Sequence, residues 1–243
     1  MKILYKLWVV TIILTYLFAQ YLWFRCIQIF KERKFQQDWI EHNVIIWGLA
    51  CSKLLRLDCK VYGHDVLSRL KWERNIFLVA NHQSYADIPA LYVASQKMYG
   101  FVAKYELKRI PFLSFWMRVQ GCVFINRSKS IQTIKKLRRL EKQGKSCNLA
   151  IFPEGTRSKD GQLGPFKPGI LRIAWQLDAV LVPVVIKGTR AAWENREKIN
   201  QDYPVNVRFN TEIDLRVEKK TKKFDQWQKE FYEQYQILHA SLN

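Results

Sequence analysis

Acidic residues are scarce in this chain. Its 243 residues hold 21 Asp and Glu against 40 Lys and Arg, a formal net charge of +19. A surplus of that size favours an anionic partner: nucleic acid, anionic lipid headgroups or an acidic carrier protein. Cysteine is sparse and unpatterned. Cys26, Cys51, Cys59, Cys122 and Cys147 are odd in number and contain no C-x-x-C pair. This excludes a disulfide framework and points to reduced, mostly buried thiols in a cytosol-facing protein. None of the five stands in a recognisable nucleophile signature. Histidine is rarer still. His42, His64, His82 and His239 are scattered, so no metal centre is expected. Gly and Pro are unremarkable, repeats and long linkers are lacking, and 49% of residues are hydrophobic. A fibrous or disordered chain is therefore excluded. The positive charge comes without a helix-turn-helix, finger or stacking motif, so no nucleic-acid partner is expected.

What the sequence does have begins near its start. Leu7 to Phe24 is apolar and free of charge, and it just reaches the roughly 18 to 20 residues that a spanning helix needs. Tyr5, Trp8, Tyr21 and Trp23 lie near its ends, where aromatic rings suit the headgroup layer. A cleaved signal peptide would need a small-x-small site after the apolar run, and no clear one follows. Arg25, Lys31, Arg33 and Lys34 follow the segment, against Lys2 and Lys6 before it. That bias sets the rest of the chain on the cytoplasmic side of an inner (cytoplasmic) membrane. Val44 to Leu57 is too short and interrupted to span. It reads as an amphipathic helix on the membrane surface or packed on the first helix. Residues 1–57 thus form a membrane-anchoring helical segment, and residues 58–243 a separate domain.

In that domain short strands alternate with helices. Strands are expected at Cys59–Tyr62, Ile76–Ala80, Gly100–Ala103, Val123–Ile125, Leu149–Phe152, Val180–Val185 and Val205–Phe209, all rich in Val, Ile and Phe. Helices are expected at Ile88–Ser95, Phe112–Val119, Ser130–Gln143, Ile170–Leu177 and Phe224–His239. The alternation predicts an α/β fold, a single domain with a mixed sheet flanked by helices. The Ser130–Gln143 helix carries an apolar stripe of Ile131, Ile134, Leu137 and Leu140 among five cations. Its basic face is either simply solvated or meets anionic headgroups or an acidic carrier.

Three strands run into polar turns. After Ile76–Ala80 come Asn81 and His82, with Asp87 five residues beyond the histidine. On one continuous helix these side chains would stand about 140° apart. With His82 in the turn and Asp87 in the next helix they can pair, and Asp87 can then hold the imidazole with Nε2 free as a base. After Leu149–Phe152 comes Pro153-Glu154-Gly155-Thr156-Arg157-Ser158, where Arg157 offers a fork for a phosphate monoester and Thr156 and backbone amides add donors. Between these blocks Gly121 to Arg127 repeats the scheme of strand, polar residue, arginine. Ligands of open α/β sheets bind beyond such strand ends. Leu181 to Ile186 is a buried strand with a Pro and reads as packing or tunnel lining.

His82-x4-Asp87, Gly121 to Arg127, Phe152 to Ser158 and Val182-Pro183 resemble, in order, the four motif blocks of the glycerolipid acyltransferases. They are most similar to those of the 1-acyl-sn-glycerol-3-phosphate acyltransferase group. The likeness covers about residues 75–187, and the Phe-Pro-Glu-Gly-Thr-Arg-Ser block is its most specific part. Ala103-Lys104, ahead of Pro111, also looks like the family's lysine segment. Asn126 departs from the pattern, standing where many members carry Asp. The resemblance implies an enzyme without a cofactor that passes an acyl group from acyl-CoA or acyl carrier protein to the sn-2 hydroxyl of lysophosphatidic acid, at an anionic membrane surface. It implies catalytic roles for His82 and Asp87, phosphate binding by Lys104, Arg127 and Arg157, and a supporting acceptor site at Glu154, Gly155 and Thr156. Glu154 is expected to orient an Arg or contact the acceptor. Another lysophospholipid or a lyso-aminolipid is the alternative acceptor. A catalytically inactive lipid-binding scaffold is the alternative of another class, and the intact His82–Asp87 pair argues against it.

Overall fold

The computed structural model describes residues 2–125, 137–139 and 147–242. The long apolar stretch is a helix, α1 (Lys2–Phe30), and α2 (Arg33–Leu55) follows it. The α/β part then runs β1 (Leu57–Tyr62), α3 (His64–Arg69), β2 (Ile76–Ala80), α4 (Asp87–Ser95), β3 (Gly100–Lys104), a 3-10 turn (Tyr105–Arg109), α5 (Leu113–Val119) and β4 (Val123–Ile125). It continues with β5 (Leu149–Ile151), α6 (Pro168–Gln176), β6 (Val180–Lys187), α7 (Thr189–Ala192), β7 (Tyr203–Phe209), β8 (Ile213–Asp214), α8 (Leu215–Glu218) and α9 (Phe224–Ser241).

The sheet order is β1-β7-β6-β2-β5-β3-β4, with β8 pairing β6. Strands β6, β2, β5, β3 and β4 are mutually parallel neighbours, whereas β7 and β8 run antiparallel to β6. The sheet is therefore mixed, as expected. Its five parallel strands all end at one edge, and the polar turns that follow β2 and β5 emerge there. Strand β2 shows why it lies at the centre. All five of its residues are buried. Ile76, Leu78 and Ala80 join the core under α4, while Phe77 and Val79 join the core under α6 and α9. A strand covered on both faces needs an unbroken apolar run. Burying each large side chain contributes about 1.5–3 kcal/mol.

Helix α2 is longer than the amphipathic stretch expected at Val44–Leu57. Its inner face, Val44, Gly48, Cys51, Ser52 and Leu55, is buried, and Val44 belongs to the core that α4 shares with the sheet. A Cβ on Gly48 would stand 2.5 Å from Tyr92 Cβ on α4, so the two helices meet backbone to side chain. The point between residues 57 and 58 falls inside β1, and the core runs across it. The Ser130–Gln143 helix lies mostly outside the described residues. All five cysteines are free, with Cys51, Cys122 and Cys147 buried. Burial pushes the thiols of Cys59 and Cys122 up to about 11 and that of Cys51 to about 12. As neutral thiols they are poor nucleophiles.

Candidate active site

The site is built where β2 stops. Asn81 continues the ladder with its side chain. Its Nδ2 donates to Ile186 O and its Oδ1 accepts from Ile186 N, both at 2.8 Å. The main chain is thereby released to turn at His82 while still fixed to β6. Tyr235 on α9 clamps the same point from below. Its hydroxyl accepts from Asn81 N at 2.7 Å and donates to Val184 O at 2.5 Å.

His82 and Asp87 meet as expected. His82 Nδ1 lies 2.7 Å from Asp87 Oδ2. The Asp87 side chain is fully buried, and 16% of the His82 side chain reaches solvent. Asp87 opens α4, and its carboxylate folds back on the turn that precedes the helix. Oδ2 also accepts from Gln83 N at 2.8 Å and Ser84 N at 2.9 Å, while Oδ1 accepts from Thr189 Oγ1 at 2.5 Å. Four partners on one carboxylate fix its position, and an Nδ1–H of His82 directed toward it would leave on Nε2 the lone pair that a general base requires. The imidazole is also stacked on Phe152, with ring centres 4.0 Å apart and planes at 16°. Ser84 Oγ accepts from Ala86 N at 2.9 Å and the residue is wholly buried, a structural assignment and not that of a nucleophile.

The Phe-Pro-Glu-Gly-Thr-Arg-Ser turn lies against the histidine turn. Ser158 N donates to His82 O at 2.8 Å. Gly155 takes φ +67°, a left-handed conformation that favours glycine. Glu154 points inward and not toward an arginine or the solvent. Its Oε1 accepts from His82 N at 2.7 Å and its Oε2 from Gly164 N at 3.0 Å. Both oxygens thus brace the backbone. Burial raises the Glu154 carboxyl above its ordinary value, opposed by the two amide hydrogen bonds. Gly155 and Thr156 are exposed at the tip of the turn.

Of the expected phosphate ligands, Lys104 ends β3 in solvent at the same sheet edge. Arg127 and Asn126 lie outside the described residues, just beyond the end of β4 at Ile125. Arg157 is partly exposed at 34% and is held in two ways. Its Nη1 donates to Glu194 Oε1 at 2.7 Å, and its guanidinium carbon stands 3.8 Å from the centre of the Tyr85 ring. Among the described residues no group of His, Cys, Asp and Glu is arranged to hold a metal ion.

Thr189, Tyr235, Tyr85 and Glu194 escaped the sequence reading. Thr189 had a usable signal, since it follows Lys187-Gly188 at the end of a strand parallel to β2. Glu194 had none, because 37 residues separate it from Arg157 and nothing local marks it.

Residues 58–187, more than half of the chain, match the family described as Acyltransferase. A 1-acyl-sn-glycerol-3-phosphate acyltransferase of Cocos nucifera is 31% identical over 222 residues, which cover 82% of this chain and 69% of that protein. One of Saccharomyces cerevisiae is 38% identical over 141 residues, 56% of this chain and 45% of that protein. The chloroplastic enzyme BAT2 of Brassica napus is 40% identical over 112 residues, 46% of this chain and 32% of that protein. The chain thus matches between about a third and two thirds of these relatives' own length. The crystal structure of the 1-acyl-sn-glycerophosphate (LPA) acyltransferase PlsC from Thermotoga maritima has a similar fold, with a TM-score of 0.77 and 26% identity over 99% of this chain and 95% of that one.

Proposed function

This chain belongs to the acyltransferase family, and on that footing we propose that it moves a fatty acyl group from an acyl-CoA or acyl carrier protein thioester to the sn-2 hydroxyl of lysophosphatidic acid, giving phosphatidic acid. The observation that carries the proposal is the His82–Asp87 pair, 2.7 Å apart, beside a turn that presents Arg157. His82 Nε2 takes the proton of the acceptor hydroxyl as its oxygen attacks the thioester carbonyl. Asp87 stabilises the imidazolium that forms. The tetrahedral intermediate then collapses, the C–S bond breaks, and the imidazolium returns its proton to the thiolate. No acyl-enzyme is needed, and neither Ser84 nor a cysteine is placed to form one.

Arg157, Lys104 and Arg127 supply positive charge for the headgroup. A phosphate monoester has more charge and more free oxygens for a guanidinium fork than the diester of a choline or ethanolamine headgroup. The apolar outer face of α1 rests in the bilayer where the acceptor resides, with the α/β domain on the cytoplasmic side.

Labelled acyl donor and a panel of lysophospholipids test the assignment. Lysophosphatidic acid should give the highest kcat/KM. His82→Ala should lower turnover by roughly 10²–10⁴-fold, the usual worth of a general base. Equal kcat/KM for lysophosphatidic acid and lysophosphatidylcholine would sink the monoester assignment, and an active His82→Ala enzyme would end the mechanism.

A further inference from the structure

Arg157 sits in a clamp. Glu194 Oε1 accepts from its Nη1 at 2.7 Å, and the Tyr85 ring lies under its guanidinium plane at 3.8 Å. The clamp is tied to the turn that carries the base, because Tyr85 N donates to the same Glu194 oxygen at 3.4 Å and Tyr85 lies between His82 and Asp87. It is tied to α1 as well. Lys6 Nζ donates to Glu194 O at 3.4 Å and stands 5.6 Å from the Trp193 ring centre. Glu194 is the more deeply placed partner, with 17% of its side chain exposed against 34% for Arg157. Its second oxygen, Oε2, is buried and has no hydrogen-bond partner among the described residues. A carboxylate in that position is held by the fold and in turn holds the arginine.

We propose that Glu194 and Tyr85 are positioning residues that pre-set Arg157 for the acceptor phosphate, at a fixed offset from His82. The proposal rests on Arg157 being a phosphate ligand. A guanidinium has five N–H donors in a rigid fork. Glu194 takes one of them and Tyr85 covers one face, so further donors remain for a phosphate while the long side chain has already lost its rotamer freedom. Binding then avoids most of the cost of ordering an arginine side chain. A stacked, singly bonded guanidinium also keeps its distance from the base, and that distance sets where the sn-2 hydroxyl comes to rest.

Steady-state kinetics on the full chain, with lysophosphatidic acid as the varied acceptor, test the clamp. Arg157→Ala should raise the acceptor KM and leave the donor KM unchanged. Glu194→Ala should raise the acceptor KM on the order of tenfold, as expected for a half-buried charge-assisted hydrogen bond, with kcat much less affected. Glu194→Gln keeps an acceptor oxygen and should recover part of the loss. Tyr85→Phe keeps the ring and should behave as wild type, whereas Tyr85→Ala should not. In the double variant Arg157→Ala/Glu194→Ala the second change should add nothing, since Glu194 acts only through Arg157. If Arg157→Ala raises the acceptor KM and the Glu194 and Tyr85 variants do not, the clamp is overturned and the phosphate assignment stands. A Glu194→Ala variant with a lowered acceptor KM also overturns it, since the carboxylate would then compete with the phosphate. An unchanged KM in Arg157→Ala removes the phosphate assignment itself. Should Glu194→Ala fail to fold, Glu194→Gln and Tyr85→Ala decide the matter by the same ratios.

Discussion

Glu154 shows what one buried side chain does at this site. Its two oxygens hold the backbone of His82 and of Gly164, so it fixes the turn that carries the His82 imidazole. Burial raises its carboxyl above the ordinary value of 4.5. The sign of the resulting pH dependence follows. The folded chain binds this proton more tightly than the unfolded chain, so the group favours folding most below 4.5, and its contribution falls as pH rises through the window above that value. Glu154→Gln should abolish that fall, giving a flatter curve of Tm against pH above 4.5. The amide has one acceptor oxygen for two backbone donors, so the variant should also be less stable throughout, by about 1–3 kcal/mol. Thermal melts of both proteins from pH 4 to 8 check this. A variant curve parallel to wild type would assign the slope to other groups. His82 and Arg157 were legible in the sequence because each stands in a turn just past an apolar strand, and Asp87 because it opens the helix that follows the His82 turn. The inward aim of Glu154 was not, because a carboxylate in such a turn reads equally well as solvent-facing or as bracing the backbone.

Among the elements, α9 has a duty beyond covering the sheet. Phe224, Trp227, Phe231 and Tyr235 line its buried face, at helical spacings of three and four. The last of them reaches the point where β2 turns into the site. Tyr235→Phe keeps the ring but leaves Asn81 N–H and Val184 O short of their buried partner. It should cost about 1–3 kcal/mol of stability and lower kcat while barely moving either KM, because the His82 turn loses its lower support. Denaturant unfolding and single-acceptor kinetics measure the two effects. Wild-type kcat with lowered stability would limit Tyr235 to packing. At this scale most of the fold was legible. Ile76–Ala80 and Val123–Ile125 occur as expected, and the other expected strands differ by one or two residues at an end. Apolar runs of Val, Ile and Phe bounded by turn residues give a strong local signal. Strand β8, of two residues, and the four-residue helices α7 and α8 carry no periodicity to read. Helix α1 begins earlier than the apolar stretch Leu7 to Phe24 and continues beyond it. Helix propensity does not require apolar residues, and the basic flanks simply extend it.

In the whole molecule α1 is a buttress. It is long and apolar enough to cross a bilayer, yet it is joined along its length to α2 and to the α/β domain. Near its start Tyr5 Oη donates to Leu54 O at 3.0 Å, and Val9 is buried in a cluster with Leu55 and Ala86. Further on Leu17 O accepts from Trp116 Nε1 at 2.9 Å, and Phe24 stacks on Trp39 at 5.3 Å. From Tyr5 to Phe24 a helix rises about 29 Å, close to the hydrocarbon depth of a bilayer. A domain gripping both ends of that run favours a helix lying along it, with Leu7, Trp8, Leu14, Phe18, Leu22 and Trp23 exposed on its outer side to meet the acyl chains. The inner side matters to the chemistry, since Ala86 immediately precedes Asp87. The two roles separate by mutation. Leu14→Ser with Leu22→Ser should weaken co-sedimentation with anionic vesicles and leave kcat in detergent micelles near wild type. Val9→Asp places an unpaired charge against Ala86, one of the few changes that regularly costs several kcal/mol, and should depress kcat in detergent while vesicle binding persists. Removing residues 2–30 should do both. Vesicle sedimentation at high salt and kcat in micelles, measured on the same preparations, give the answer. Full activity of Val9→Asp in micelles would reduce α1 to an anchor, and undiminished sedimentation of the truncated chain would transfer the membrane attachment to the α/β domain.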